Sequence, residues 1–173
     1  MTFDAGDGTV REISYITVAA YRRYCEIMAR SEGLGKRDAA ELMGGIIPAV
    51  MPGVPRRLIG RADAAEVWRC IKSIHFVMQD IIAPKFLQLT PEAEPVEYVG
   101  SVFDKYDEEN GYNDIPGGDV NVWEAMIANT DQLVRFATKA MGESWSSCMA
   151  ADICELLDYA KFEIGEIGKE GKK

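Results

Sequence analysis

The stretch from 90 to 119 constrains this chain more than any other. Pro91, Pro95, Gly100, Gly111, Pro116, Gly117 and Gly118 interrupt it throughout, and these residues break helix and strand alike. A run of that length rarely stays structureless inside one compact domain. The sequence therefore divides into an N-terminal helical part at 1–89, an acidic linker or docked segment at 90–119, and a C-terminal helical hairpin at 120–173. Val96, Tyr98, Val99, Val102, Phe103 and Tyr106 are apolar enough to form a short docked helix or strand, which leaves Asp107 to Gly118 as a mobile tip.

Charge follows the same division. Residues 1–89 hold 12 Lys and Arg against 10 Asp and Glu, whereas residues 90–173 hold 7 against 18. Between 90 and 124 alone there are ten acids and one base, Lys105. Such a density of like charge repels anionic surfaces. Direct nucleic-acid and membrane binding by this half are disfavoured, and a basic protein partner is attracted.

The expected fold class is mainly α: one or two small helical bundles with a short N-terminal β element and the acidic central loop. Residues 9–16 suggest a short strand or extended arm after the Gly6-Asp7-Gly8 turn. Its partner is either a second strand around Phe3 or another subunit, the latter implying a homo-oligomer. Thr17 is an N-cap candidate for a helix with Val18, Tyr21, Cys25 and Met28 on one face, ending near Gly33. A shorter helix covers 38–47 and stops at Pro48. Residues 52–61 read as a loop.

Asp63 and Glu66 fit a capping box, followed by a core stripe of Val67, Ile71, Ile74, Met78 and Ile81. Pro84 ends or kinks this helix, and Phe86, Leu87 and Leu89 pack back on the core. Asn121 and Glu124 start another helix, with Trp123, Ile127, Val134, Ala137 and Met141 on its stripe, ending at Gly142. Ser144 or Ser146 caps a last helix that carries Met149, Ile153, Leu156, Ala160 and Ile164. The short join predicts an antiparallel pair.

The N-terminal Met1-Thr2-Phe3-Asp4-Ala5-Gly6-Asp7 carries acids and no base, unlike a secretory signal. Apolar runs fall short of the roughly 20 residues of a membrane span. The expected compartment is the cytoplasm. Cys25, Cys70, Cys148 and Cys154 lack the spacing of a disulfide framework or zinc site and read as reduced, partly buried thiols.

A search for chemistry ends without catalytic residues, cofactor or metal site. Taking Gly111 as the turn glycine of a calcium loop places Tyr106 first and Gly117 twelfth, where Asp and a bidentate Glu are needed. Asp107, Glu108, Glu109 and Asp114 read either as casual divalent ligands or as a solvated loop that meets a partner. The glycine pairs lack the residues of a phosphate cradle. His75, the only histidine, sits beside the apolar stripe, as a structural residue with a hydrogen-bonded ring or as an acid-base group. Arg56, Arg57 and Arg61 can grip phosphate or an acidic partner, or be solvated. Trp68, Trp123 and Trp145 read as core, subunit contact or an aromatic platform. The partner-binding candidates are Asp107, Glu108, Glu109, Asp114, Trp123, Arg56 and Arg57.

The order of features resembles the tail assembly chaperones of long-tailed bacteriophages. The residues that carry the resemblance are Val10-Arg11-Glu12-Ile13 leading into Thr17 to Tyr24, the apolar helix Val67 to Ile82 with Phe86-Leu87, the acidic stretch, and the helical extension Trp123 to Glu166. The resemblance implies a small helical protein that binds tape-measure and tail-tube proteins, uses no catalytic residue, and changes length by frameshifting between residues 89 and 119. A competing expectation is an acidic decoy, in which residues 92–124 imitate nucleic-acid phosphates in the groove of a host protein.

Overall fold

The structure is a computed structural model that describes residues 1–32, 34–35, 42–89 and 121–170, with side chains through residue 165. The chain opens with an antiparallel hairpin, β1 (Thr2–Asp4) and β2 (Val10–Glu12), in which Phe3 faces Arg11. The partner of the strand is thus the segment around Phe3, and the strand is shorter than the 9–16 expected. Gly6 and Gly8 have φ of 70° and 79°, a left-handed turn that other residues rarely adopt. Asp4 and Asp7 brace it by accepting the Gly6 and Thr9 amides.

Helix α1 (Val18–Ser31) starts where Thr17 Oγ1 accepts the Ala20 amide at 3.1 Å. Its buried face, Val18, Ala20, Tyr21, Tyr24, Cys25 and Ile27, is wider than the expected stripe. Two short helices follow, α2 (Ile46–Val50) and α3 (Arg56–Ile59). Pro48 therefore lies inside a helix instead of stopping one. As the third residue of α2 its missing N–H removes no intrahelical bond, because the first turn has no acceptors for its donors. Arg56 and Arg57, expected in a loop, wind into α3 after Pro55 and are exposed.

Helix α4 (Ala64–Phe76) continues without a break through a π turn, Val77–Ile82, into α5 (Ala83–Leu87). Cys70, Ile74, Met78, Ile82 and Phe86 recur every fourth residue, and all are buried. A regular α-helix would rotate such a series off its face by about 40° per step; the wider π turn holds it in phase. This corrects two expectations: Ile81 is 42% exposed while Ile82 is fully buried, and Pro84 does not end the helical path. Leu87, expected to pack back, is 70% exposed.

Helix α6 (Val122–Met141) is capped by Asn121 Oδ1, which accepts the Trp123 and Glu124 amides, and ends at Gly142 with φ 69°. It buries Thr130, Leu133, Val134 and Ala137, while Met141 stays exposed. The expected last helix is two: α7 (Trp145–Ala150), capped by Ser144, and α8 (Ile153–Glu170). They part because Ala151 O accepts the Val18 amide and Ile16 O accepts the Ile153 amide, at 3.1 and 2.9 Å. This bridge pins the break to the start of α1.

One continuous core runs from Phe3 through Ile46, Ile74 and Met78 to Val134, Ile153 and Leu157. The two helical segments on either side of residues 90–120 therefore share a single interior. Tyr21 of α1 stacks on Phe86 of α5 at 5.6 Å, and Arg22 pairs with Asp131 of α6.

Candidate protein-binding surfaces

His75 is half-buried on α4, and its Nδ1 lies 2.6 Å from Tyr24 Oη. Gln79 Nε2 donates to the same oxygen at 3.3 Å. Tyr24 Oη thus joins the His75 ring and the Gln79 amide in one hydrogen-bonded cluster. Burial lowers the His75 pKa and pushes the Tyr24 hydroxyl up to about 12. The ring is thus hydrogen-bonded, as the structural reading of this histidine expects. Trp123 meets the Tyr24 ring edge-on, 5.8 Å away at 85°, so it packs on this cluster at the start of α6.

Trp68 and Trp145 are 55% and 43% exposed, which removes the core reading for these two and leaves subunit contact or an aromatic platform. Cys25, Cys70 and Cys148 are buried and Cys154 is half-buried, all as free thiols. Burial pushes Cys25 up to about 12 and raises Cys70 and Cys154, the reverse of what an activated nucleophile needs. Among the described residues no cluster of His, Cys, Asp and Glu has the arrangement of a metal site. Asp107, Glu108, Glu109 and Asp114 lie outside the described residues.

An apolar groove of about 380 Å³ lies between α5, α6 and α8. Phe86, Leu89, Leu133, Phe136, Ala160 and Ile164 wall it, with the Asn129 and Gln132 amides also lining it. Lys85 pairs with Asp158, and Lys161 Nζ donates to Gln88 Oε1 at 2.8 Å, joining α5 to α8. Phe86, Leu89, Ala160 and Ile164 were all legible as apolar. Leu133 and Phe136 were missed, because the stripe drawn through Trp123, Ile127 and Val134 follows only one side of α6. Asn129, Leu133 and Phe136, at spacings of four and three, define a second side that a wider helical face would have included.

The groove has a marked position in the chain. Leu89 lines it, and the ten-acid stretch of 90–124 begins at the next residue. Of the sequence-selected candidates within the described residues, Trp123 packs on Tyr24 and the Arg56 guanidinium lies over Gly45.

No family model, no curated protein and no solved structure matches the chain. Among the described residues no helix is long and apolar enough to cross a membrane.

Proposed function

We propose that this chain is a protein-binding factor that uses no chemistry of its own, receiving a basic amphipathic helix of another protein in the groove between α5, α6 and α8. The observation that carries this reading is the continuity of Leu89, in the groove wall, with the acid-rich stretch that follows it. An apolar trough suits the apolar face of a helix, and the acids that follow Leu89 in sequence suit the basic residues on its flanks. A tail assembly chaperone that shields tape-measure segments with apolar helix faces is the specific form of the proposal, and it rests on the layout resemblance.

The test titrates the full-length chain with overlapping helical peptides from a long-tailed phage tape-measure protein, at low and high salt. Phe136→Glu, at a half-buried wall position, serves as the groove variant, with its melting curve as a folding control. Binding that survives high salt and is lost in Phe136→Glu supports the reading. Binding to basic nucleic-acid-handling proteins that disappears with salt and ignores Phe136→Glu would replace it with the acidic decoy.

A further inference from the structure

Among the described residues the N-terminal hairpin has one edge covered by α4 and one edge open. Met1 and Ile13 exchange two hydrogen bonds, Ile13 N to Met1 O at 2.9 Å and Met1 N to Ile13 O at 2.7 Å. In an antiparallel ladder bonded and non-bonded pairs alternate, so the adjacent pairs Thr2 with Glu12 and Asp4 with Val10 aim their backbone groups outward. On the β1 side α4 meets two of these groups: Arg69 Nη2 donates to Thr2 O at 3.0 Å, and Glu66 Oε1 accepts the Asp4 amide at 2.9 Å. On the β2 side the outward groups of Val10 and Glu12 meet no strand among the described residues, and Val10 is 62% exposed.

Beside the extension of that open edge lies a groove of about 420 Å³. Glu12, Ser14 and Tyr15 form one wall, and Ala19 of α1 with Ala49 of α2 and Pro52 line the rest. Small side chains there let another backbone approach closely. Unpaired strand edges are completed by extended backbone, which names the conformation of the occupant. Its charge follows from Glu12, the one charged side chain in the groove lining. A second copy fits poorly: a two-fold axis centred on β2 opposes Arg11 with Arg11, and a shift of one residue toward the groove opposes Glu12 with Glu12.

We propose that the open edge of β2 and its groove take an extended, basic segment of a partner protein as a third strand. The inference rests on the protein-binding reading but uses a surface of its own. The added segment places a Lys or Arg opposite Glu12, carries small side chains over Ala19 and Ala49, and has no proline at its bonded positions.

The test selects binders from a displayed library of random peptides on the full-length protein and maps the enriched peptides by amide chemical shifts. The expected result is enrichment of basic, proline-free peptides whose shifts centre on residues 10–15, 19 and 49. Val10→Pro removes an outward donor while sparing the β1 pairing, and Glu12→Lys reverses the charge. Each weakens binding roughly tenfold with an unchanged melting curve. No enrichment, shifts elsewhere, or equal binding to Val10→Pro overturns the proposal. Concentration-dependent shifts at residues 10–15 without peptide also overturn it, in favour of a second copy. Because the α5, α6 and α8 groove is read separately through Phe136, failure here and failure of the protein-binding reading are distinguishable.

Discussion

The Arg22 guanidinium of α1 grips the Asp131 carboxylate of α6 with two hydrogen bonds of 2.8 and 3.3 Å, across 109 residues of sequence. Arg22 also pairs with Glu26 on its own helix, so one cation ties a local pair to a distant one. Asp131 is the first cause that raises the Arg22 pKa, ahead of Glu26. Both side chains of the long-range pair keep about a third of their surface in water, at 30% and 27%, which limits the gain. A double-mutant cycle with Arg22→Met and Asp131→Asn, followed by urea unfolding, should return a coupling of about 1 kcal/mol that shrinks at high salt. A coupling of zero would mean that α1 and α6 are held by packing alone.

The π turn makes a prediction that a regular helix reverses. Ile82 is fully buried and Ile81 is 42% exposed, so Ile82→Ala should cost about 3 kcal/mol and Ile81→Ala under about 1 kcal/mol. Equal costs, or the opposite order, would indicate uninterrupted α winding from Ala64 to Leu87.

How far the sequence foretold this fold varies with the range of the interaction that decides each feature. Thr17, Asp63, Asn121 and Ser144 cap helices as their types suggest, because a cap is closed within three residues. The capping box at Asp63 is only half made. Glu66 turns instead to the Asp4 amide and to Arg69, partners supplied by β1 and by the next turn of α4. The break between α7 and α8 was likewise illegible, since its cause is the backbone of Ile16 and Val18, far away in sequence. Thr130 is buried mid-helix with its hydroxyl bonded to Met126 O at 2.7 Å, a satisfied polar group that no apolar stripe marks. Trp123 lies on the helix its stripe predicts, while the groove residues Leu133 and Phe136 needed the fold to bring α5, α6 and α8 together.

Acid should weaken the protein partly through His75. Burial lowers its folded pKa below the ordinary 6.5, so the unfolded chain takes up the proton first. Stability from this site is complete above about pH 6.5 and declines as pH falls toward the folded value. Tyr24 faces it from α1, Gln79 lies one turn ahead on its own helix, and Trp123 of α6 covers the Tyr24 ring. Tyr24→Phe should cost about 1 kcal/mol at neutral pH, because it leaves the half-buried Nδ1 without its hydrogen-bond partner. Urea midpoints measured from pH 8 to 5 in wild type and His75→Gln check this: the variant should lose part of the slope.

The hairpin clamp responds at lower pH. The Arg69 guanidinium and the Asp4 amide hold the Glu66 carboxyl at about 2 against an ordinary 4.5. Its contribution is therefore present above about pH 4.5 and lost as pH falls toward 2. In Glu66→Gln, hydrogen exchange at the Asp4 amide should quicken several-fold at neutral pH, and the difference from wild type should shrink as pH falls from about 4.5 through 2.

The central claim, that the α5, α6 and α8 groove holds a basic helix, is tested most directly by titrating tape-measure helical peptides into wild type and Phe136→Glu at high salt. The account predicts saturable binding by wild type, with amide shifts at Leu89, Leu133 and Ile164, and at least tenfold weaker binding by the variant, of the order expected for one buried aromatic anchor. Binding of equal strength to both proteins, or shifts confined to other surfaces, would contradict it.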